Sequence, residues 1–231
     1  MWSGPRNIST AMMRSFGNRS DSSVSDEPFY AYYLQRTGLE HPGRAAILAS
    51  QPTDWRQVAE QITAGPVPDG VTVQYQKHMT HHLLGEVDRS ALSGLRHAFL
   101  IRDPAQMLAS YAKVRGEPTL DDLGLAQQVE LYERFGGPVV DAGDVLADPE
   151  RLLRALCSAL GADFDPAMLS WPAGARSSDG VWASYWYDSV RRSTGFAAPS
   201  PTPAAVPARL RGLLEECRPY YDTMARYCLT G

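Results

Sequence analysis

The alternation of strand-forming and helix-forming segments is the feature that most limits how this 231-residue chain can fold. Apolar and β-branched runs predict strands at 71–78, 97–101 and 138–141. Between and after them, amphipathic runs predict helices at 26–35, 54–64, 124–135, 149–160 and 208–227. This order predicts a single α/β domain over residues 1–231, with a central parallel sheet and helices on both faces.

A loop near the start of the sequence has the composition of an anion site. Residues 3–10 (SGPRNIST) combine a tight turn, the cation of Arg6 and two hydroxyl groups, Ser9 and Thr10, at the start of a helix that should fade near Gly17. Free N–H groups and the helix dipole at such a terminus favour a phosphate, although an ordinary helix capped by Ser or Thr would look similar. Because only residues 1–2 precede the loop, the first strand is predicted to be nearly absent.

A second loop places another cation at a strand end. The strand at 97–101 continues into Arg102-Asp103-Pro104 and a helix to about Val114, with Ser110 two turns along it. Arg102 and Ser110 together could hold a second phosphate. Alternatively, Arg102 pairs with Asp103 or a neighbouring carboxylate, and Ser110 faces solvent.

Composition excludes several other classes of protein. The net charge of -4 argues against nucleic-acid binding, and we found neither a signal-peptide pattern nor an apolar run long enough for a membrane span. Three cysteines lack metal-ligand spacing and are expected to be free thiols: Cys157, Cys217 and Cys228. We therefore expect a cytoplasmic protein with no bound metal, no nucleic-acid partner and no membrane contact.

The two loops together resemble those of sulfotransferases that use 3'-phosphoadenylyl sulfate. That family has a 5'-phosphosulfate loop Pro-Lys-Ser-Gly-Thr-Thr, and here the six places are filled by Pro5, Arg6, Asn7, Ile8, Ser9 and Thr10. Arg102 and Ser110 match the family's 3'-phosphate pair at its eight-residue spacing. The resemblance implies a P-loop NTPase-like fold and a donor site formed by these residues.

Weaker similarity to the bacterial small-molecule branch of the family extends over most of the chain, at 26–28, 76–79, 144–149 and 187–196. It implies that Arg192, Ser193 and Gly195 correspond to a C-terminal segment that closes over the 3'-phosphate.

The family's catalytic base is often the histidine of a Lys-x-His pattern. Here Lys77 is followed directly by His78, and Met79 stands where that histidine would fall. We predict His78 as the base, with His81 and His82 as competitors, because an imidazole titrates near neutral pH and the strand end would direct it into the cleft. Simply solvated imidazoles are the alternative. Lys77 and Arg6 are expected to stabilise the leaving phosphate oxygen.

The acceptor pocket is less well defined by the sequence. The carboxylate of Glu27 is predicted to lie at a helix N-terminus and to interact favourably with the helix dipole. The alternatives are that Glu27 is the base or that it binds an acceptor amine. Candidates for the wall of the acceptor pocket are the aromatic residues Tyr30, Tyr32, Tyr33, Trp182, Trp186 and Tyr187, although most aromatic residues at such spacing belong to a core. Of these, Tyr30 and Trp186, together with His81, are predicted to contact the acceptor.

The resemblance implies transfer of a sulfuryl group to a hydroxyl or amine of a small molecule, leaving 3'-phosphoadenosine 5'-phosphate. In a second version of this reaction, the sulfate is an activated leaving group, and a neighbouring nucleophile of the same molecule displaces it to close a ring. A catalytically lapsed subunit that supports a partner chain is the alternative, and a homodimer or a heteromer with a related chain is compatible with the sequence. A nucleotide kinase ranks lower because the sequence lacks the loop G-x-x-x-x-G-K-S/T.

Overall fold

The computed structural model of the protein describes residues 1–112, 117–198 and 205–230. Its centre is a parallel sheet of five strands in the order β2-β3-β1-β4-β5. The strands are β1 Trp2–Ser3, β2 Ser22–Asp26, β3 Val73–Met79, β4 Phe99–Ile101 and β5 Val139–Asp141. The α/β fold class predicted from the sequence is confirmed.

Helices cover both faces of the sheet. They are α1 Ser9–Phe16, α2 Tyr30–Thr37, α3 Arg44–Ser50, α4 Trp55–Ala64, α5 Pro104–Tyr111, α6 Leu120–Leu123, α7 Leu125–Phe135, α8 Ala142–Ala147, α9 Pro149–Leu160, α10 Ala183–Trp186, α11 Asp188–Arg191 and α12 Arg211–Ala225. Short 3₁₀ turns occupy Thr80–His82, Arg89–Leu92, Pro166–Leu169 and Ala208–Leu210. Alternate residues of the strands supply two apolar cores: Leu100 and Val140 contribute to one, and Trp2, Phe99 and Val139 to the other.

The first strand is as short as the sequence predicted, yet it lies in the middle of the sheet. Trp2 pairs with His78 on one side and with Phe99 on the other, and Ser3 continues both ladders. Trp2 is almost completely buried, so its large ring compensates for the small number of strand residues. The end of β1 therefore delivers residues 4–8 to the centre of the carboxyl edge.

Two predicted boundaries are wrong. The segment predicted as a helix over 26–35 begins as edge strand β2, and the helix starts only at Tyr30. The three serines of β2 concealed this strand, because its polar side chains suit an edge position but carry little β signal. Strand β3 runs from Val73 to Met79, slightly later than predicted, while the predicted helix end near Val114 lies outside the described residues.

Among the residues described, no helix is both long and apolar enough to cross a lipid bilayer.

Candidate active site

A cavity of about 390 Å³ opens at the carboxyl ends of the strands, where parallel α/β sheets usually bind ligands. The loop after β1, the end of β3, Arg102 after β4, the last turn of α5 and residues of the segment 186–197 contribute to its wall. The predicted site residues that line it are Arg6, Asn7, Ser9, Thr10, Glu27, Tyr30, Lys77, His81, Arg102, Ser110, Trp186, Ser193 and Gly195. His78 and Arg192 are the two predicted site residues that the structure does not bring to this wall.

The loop after β1 presents an uncapped helix N-terminus to the cavity. The N-cap of α1 is Ile8, which has no side-chain capping hydrogen bond, whereas Ser9 and Thr10 already belong to the first turn. The alternative of an ordinary helix capped by one of these hydroxyl groups is therefore wrong. The N–H groups of the first turn remain available to a ligand, and an anion suits both their geometry and the helix dipole.

The backbone of this loop is unusual. Arg6 and Ile8 both adopt positive φ angles, of 64° and 49°, in the left-handed region that costs a non-glycine residue about 1–2 kcal/mol. Gly4 precedes them where a Cβ atom would lie 2.6 Å from the carbonyl oxygen of Leu123. Strain of this kind persists where surrounding contacts determine the loop, and it is common at ligand sites.

Two arginines converge beside the loop. Arg6 Nε donates to Ser110 Oγ at 3.0 Å, and Arg102 Nη1 donates to the carbonyl oxygen of Arg6. Asp103 does not pair with Arg102, as the alternative interpretation proposed, but caps α5 by accepting from the N–H groups of Ala105 and Gln106.

Neither guanidinium forms an ion pair within the described part of the chain. Burial lowers the pKa of Arg6, and burial together with the nearby charge of Arg6 lowers the pKa of Arg102. The charges of Asp141 and Asp103 partly oppose this effect on Arg102, but neither carboxylate is in ion-pair contact with it in the described residues. Two cations held close together in this way make this end of the cavity complementary to an anion.

At the other end of the cavity lies a buried charge cluster formed by Asp26, Glu27, Lys77 and Tyr187. Lys77 Nζ donates to Asp26 Oδ1 at 3.0 Å, to Tyr187 Oη at 2.7 Å and to Glu27 Oε1. These contacts use all three of its N–H groups, so the geometry does not support the predicted role of Lys77 at a leaving oxygen. Burial opposes the charge of Lys77, but the two carboxylates hold its pKa well above the usual value.

Asp26 and Tyr187 connect this cluster to the segment 180–187. Sequence reasoning named Tyr187 only as a candidate for the wall of the acceptor pocket, and it did not identify Asp26 as a functional residue. Tyr187 Oη donates to Asp26 and accepts from Trp182 Nε1, while Asp26 Oδ2 also accepts from the N–H group of Gly180. The sequence did contain a signal for both residues, because Asp26-Glu27-Pro28 and Tyr187-Asp188 are two of the stretches that resemble the family.

Glu27 is not the helix-dipole partner that the sequence predicted, because α2 starts at Tyr30 and the carboxylate is directed to Lys77 instead. Burial raises the pKa of Glu27, against the opposing effect of the Lys77 charge. Its second oxygen, Oε2, lies 3.9 Å from His82 Nδ1. A carboxylate whose pKa is raised by burial is a stronger base than an exposed one, which suits Glu27 to accepting a proton.

The prediction that His78 faces the cleft is wrong. Side chains alternate along β3, so Lys77 and Met79 line the cavity while His78 points to the opposite face. There its ring stacks on Trp2 with the ring centroids 4.3 Å apart, and Nε2 lies 3.1 Å from Gln76 Oε1. Burial lowers the pKa of His78 well below its usual value, so the side chain is a neutral core residue at neutral pH.

The neighbouring histidines do reach the cavity. The ring of His82 lies between Tyr30 and Tyr33, with centroid distances of 4.6 and 4.7 Å, and His81 contacts its edge at 4.4 Å. Burial and the nearby imidazole of His81 lower the pKa of His82 well below its usual value. Trp186 completes an aromatic wall.

The predicted C-terminal segment is only partly at the site. Ser193 and Gly195 line the cavity, but the Ser193 hydroxyl is occupied, accepting from Trp171 Nε1 and donating to the carbonyl oxygen of Val190. Arg192 is exposed outside the lining, because α11 turns its side chain toward solvent. In this structure Arg192 is therefore not in contact with the proposed anion site.

Comparison with known proteins agrees with this geometry. A family model described as a sulfotransferase domain matches residues 1–227. A solved structure titled as the sulfotransferase domain from the curacin biosynthetic pathway superposes with a TM-score of 0.55 at 13% identity, covering 94% of this chain and 95% of that chain. That likeness concerns the fold alone.

Two curated relatives come from Arabidopsis thaliana. The branched-chain-amino-acid aminotransferase-like proteins 2 and 1 are 36% and 37% identical over 228 residues, which is 96% of this chain. The chain spans 40% of the length of each relative, so the match concerns one part of those proteins.

Proposed function

The chain belongs to the sulfotransferase domain family, and on that premise we propose that it transfers a sulfuryl group from 3'-phosphoadenylyl sulfate to a hydroxyl or amine of a small molecule. The observation that carries the proposal is the convergence of Arg6, Arg102 and Ser110 beside an uncapped helix N-terminus, with no carboxylate paired to either arginine in the described ranges. This arrangement is suited to a ligand with two separate phosphate groups.

Each part of the donor site has its own task in this proposal. The first turn of α1 and Arg6 hold the 5'-phosphosulfate, with Arg6 standing where the family usually has lysine and stabilising charge on the leaving oxygen. Arg102 and Ser110 bind the 3'-phosphate. Sulfuryl transfer, like phosphoryl transfer, depends on in-line positioning and charge stabilisation, and it needs little covalent chemistry from the protein.

Glu27 is the base in this proposal. It lines the cavity, its pKa is raised by burial, and Lys77 holds its carboxylate in one orientation. His78, which the sequence favoured, lies on the other face of the sheet and has no path to the acceptor. Whether the sulfated compound is the final product is a separate question, and release of free sulfate with a ring-closed product would identify it as an intermediate.

Titration calorimetry with 3'-phosphoadenosine 5'-phosphate tests the donor site without knowledge of the acceptor. We expect magnesium-independent binding that is tighter than that of AMP or ATP. Arg102→Ala should weaken this binding roughly ten- to a hundredfold, the value of a charge-assisted contact of about 1.5–3 kcal/mol, while leaving AMP affinity nearly unchanged.

Arg56→Ala is the matched control, because its guanidinium is largely exposed on α4 and lies outside the cavity lining. It should leave all three affinities unchanged. Unaltered affinity for the 3'-phosphorylated ligand in Arg102→Ala, or preferential magnesium-dependent binding of ATP, would refute the assignment of the donor site.

A further inference from the structure

Two buried polar atoms, Glu27 Oε2 and His82 Nδ1, face each other in the cavity with no hydrogen bond between them. Glu27 Oε2 and His82 Nδ1 are 3.9 Å apart, too far for a direct hydrogen bond. The other oxygen of Glu27 is occupied by Lys77. His82 is only 3% exposed, and its Nδ1 has no hydrogen-bond partner among the described residues. A buried polar atom of this kind is costly unless a ligand satisfies it.

The separation of these two atoms fits one small donor group. A nitrogen atom can lie about 2.9 Å from both, since 3.9 Å is less than twice a normal hydrogen-bond length. When the His82 proton is on Nε2, Nδ1 accepts a hydrogen bond, and an ammonium group with its three N–H donors can satisfy both Glu27 and His82, whereas a hydroxyl group has a single proton to donate.

Charge favours the same kind of ligand. The only Lys or Arg side chains in the described lining are Arg6 and Arg102 at the donor end and Lys77 in the buried cluster. Lys77 faces two carboxylates, Asp26 and Glu27, so the charged groups of the acceptor end sum to one negative charge. This end therefore disfavours an anionic acceptor and attracts a cationic one.

The aromatic wall adds to this preference. His82 is sandwiched between Tyr30 and Tyr33, and Trp186 and Tyr187 line the same end of the cavity. Aromatic faces attract ammonium groups and also pack against apolar carbon. The pocket is complementary to an amine attached to an apolar or aromatic body.

We propose that the acceptor is such an amine, bound between Glu27 and His82, and that the product is a sulfamate. This inference rests on the sulfuryl transfer proposed above. The ammonium group first loses a proton to Glu27, and the freed nitrogen lone pair forms the N–S bond. The bond between sulfur and the bridging phosphate oxygen breaks, its electron pair leaves with 3'-phosphoadenosine 5'-phosphate, and the second nitrogen proton departs through His82.

Equilibrium binding of three matched probes to the complex with 3'-phosphoadenosine 5'-phosphate tests the inference without turnover. The probes are 2-phenylethylamine, 2-phenylethanol and 3-phenylpropionate, which share an aromatic body and differ in the polar group. We expect the amine to bind at least about tenfold more tightly than the alcohol, with the carboxylate weakest. Equal or tighter binding of the alcohol or the carboxylate would overturn the inference, and so would no detectable binding of the amine.

Glu27→Gln should reduce the preference for the amine to less than about threefold, whereas Glu150→Gln, which alters an exposed carboxylate on α9, should preserve it. A retained preference in Glu27→Gln also counts against the inference. The comparison in the wild-type protein remains decisive if that variant does not fold. Failure of the wild type to bind 3'-phosphoadenosine 5'-phosphate would instead refute the proposed function, and this inference with it.

Discussion

Replacing Lys77 with methionine measures how strongly the fold depends on the buried charge cluster. Lys77 is 1% exposed and donates to Asp26, Glu27 and Tyr187. Methionine keeps most of the apolar stem but leaves two buried carboxylates side by side. The substitution removes two charge-assisted hydrogen bonds, which contribute about 1.5–3 kcal/mol each. Leaving a buried charge unpaired usually costs about 3–5 kcal/mol. Both values indicate that the unfolding free energy falls by about 3–5 kcal/mol.

The loss should depend on pH in a defined direction. Burial raises the pKa of Glu27 and the charge of Lys77 opposes this effect, so removal of that charge raises the folded-state pKa of Glu27 further above the value in the unfolded chain. A carboxyl group with a raised folded-state pKa destabilises the protein above that pKa, and the penalty disappears as the pH falls below it. The difference between wild type and Lys77→Met should therefore shrink between about pH 8 and about pH 5.

Urea unfolding at both pH values provides the measurement. Lys77→Met/Glu27→Gln, which removes one of the opposed carboxylates, should recover at least about 1 kcal/mol relative to Lys77→Met. Arg56→Met, an exposed control, should change stability by less than about 0.5 kcal/mol. A loss in Lys77→Met that is below about 1 kcal/mol and independent of pH would show that the cluster contributes little to the fold.

Two further substitutions test the anion-binding loop and the base. Ile8→Gly should lower the unfolding free energy measured by urea denaturation by less than about 1 kcal/mol. Glycine relieves about 1–2 kcal/mol of left-handed backbone strain, and this offsets the loss of apolar packing. A decrease above about 3 kcal/mol would contradict this reasoning. Glu27→Gln should lower kcat by about 10²–10⁴-fold and abolish the fall in rate at low pH, which arises because a protonated Glu27 cannot accept a proton. His78→Gln should keep kcat within about threefold, and similar losses in both variants would refute the choice of base.

The donor end of the cavity was predictable because its signals are local. The composition of residues 3–10 indicates an anion-binding loop directly, and the eight-residue spacing from Arg102 to Ser110 matches a phosphate-binding pair on one strand-helix unit, with Arg102 before α5 and Ser110 two turns along it. What the sequence lacked was the contact between these segments, which the Arg6–Ser110 hydrogen bond provides.

The acceptor end was less predictable for two physical reasons. A shift of one residue along a strand reverses the direction of the side chain, so the choice between Lys77 and His78 depended on a register that β3 alone does not reveal. The charge cluster joins Lys77 to Tyr187 across 110 positions of sequence, and no local pattern predicts a pairing over that range. The edge strand β2, which delivers Asp26, carries too little β signal to be recognised.

The central position of β1 has a consequence for the order of folding. The ladders of Trp2 and Ser3 are complete only when both β3 and β4 lie beside β1, and these contacts join segments that are distant along the chain and therefore slow to meet. Residues 4–8 depend on this strand for their position. We therefore expect the loop at residues 4–8 to take its final shape late. If the proposed donor site is correct, recovery of binding to 3'-phosphoadenosine 5'-phosphate during refolding would report assembly of the central strands rather than formation of a local helix.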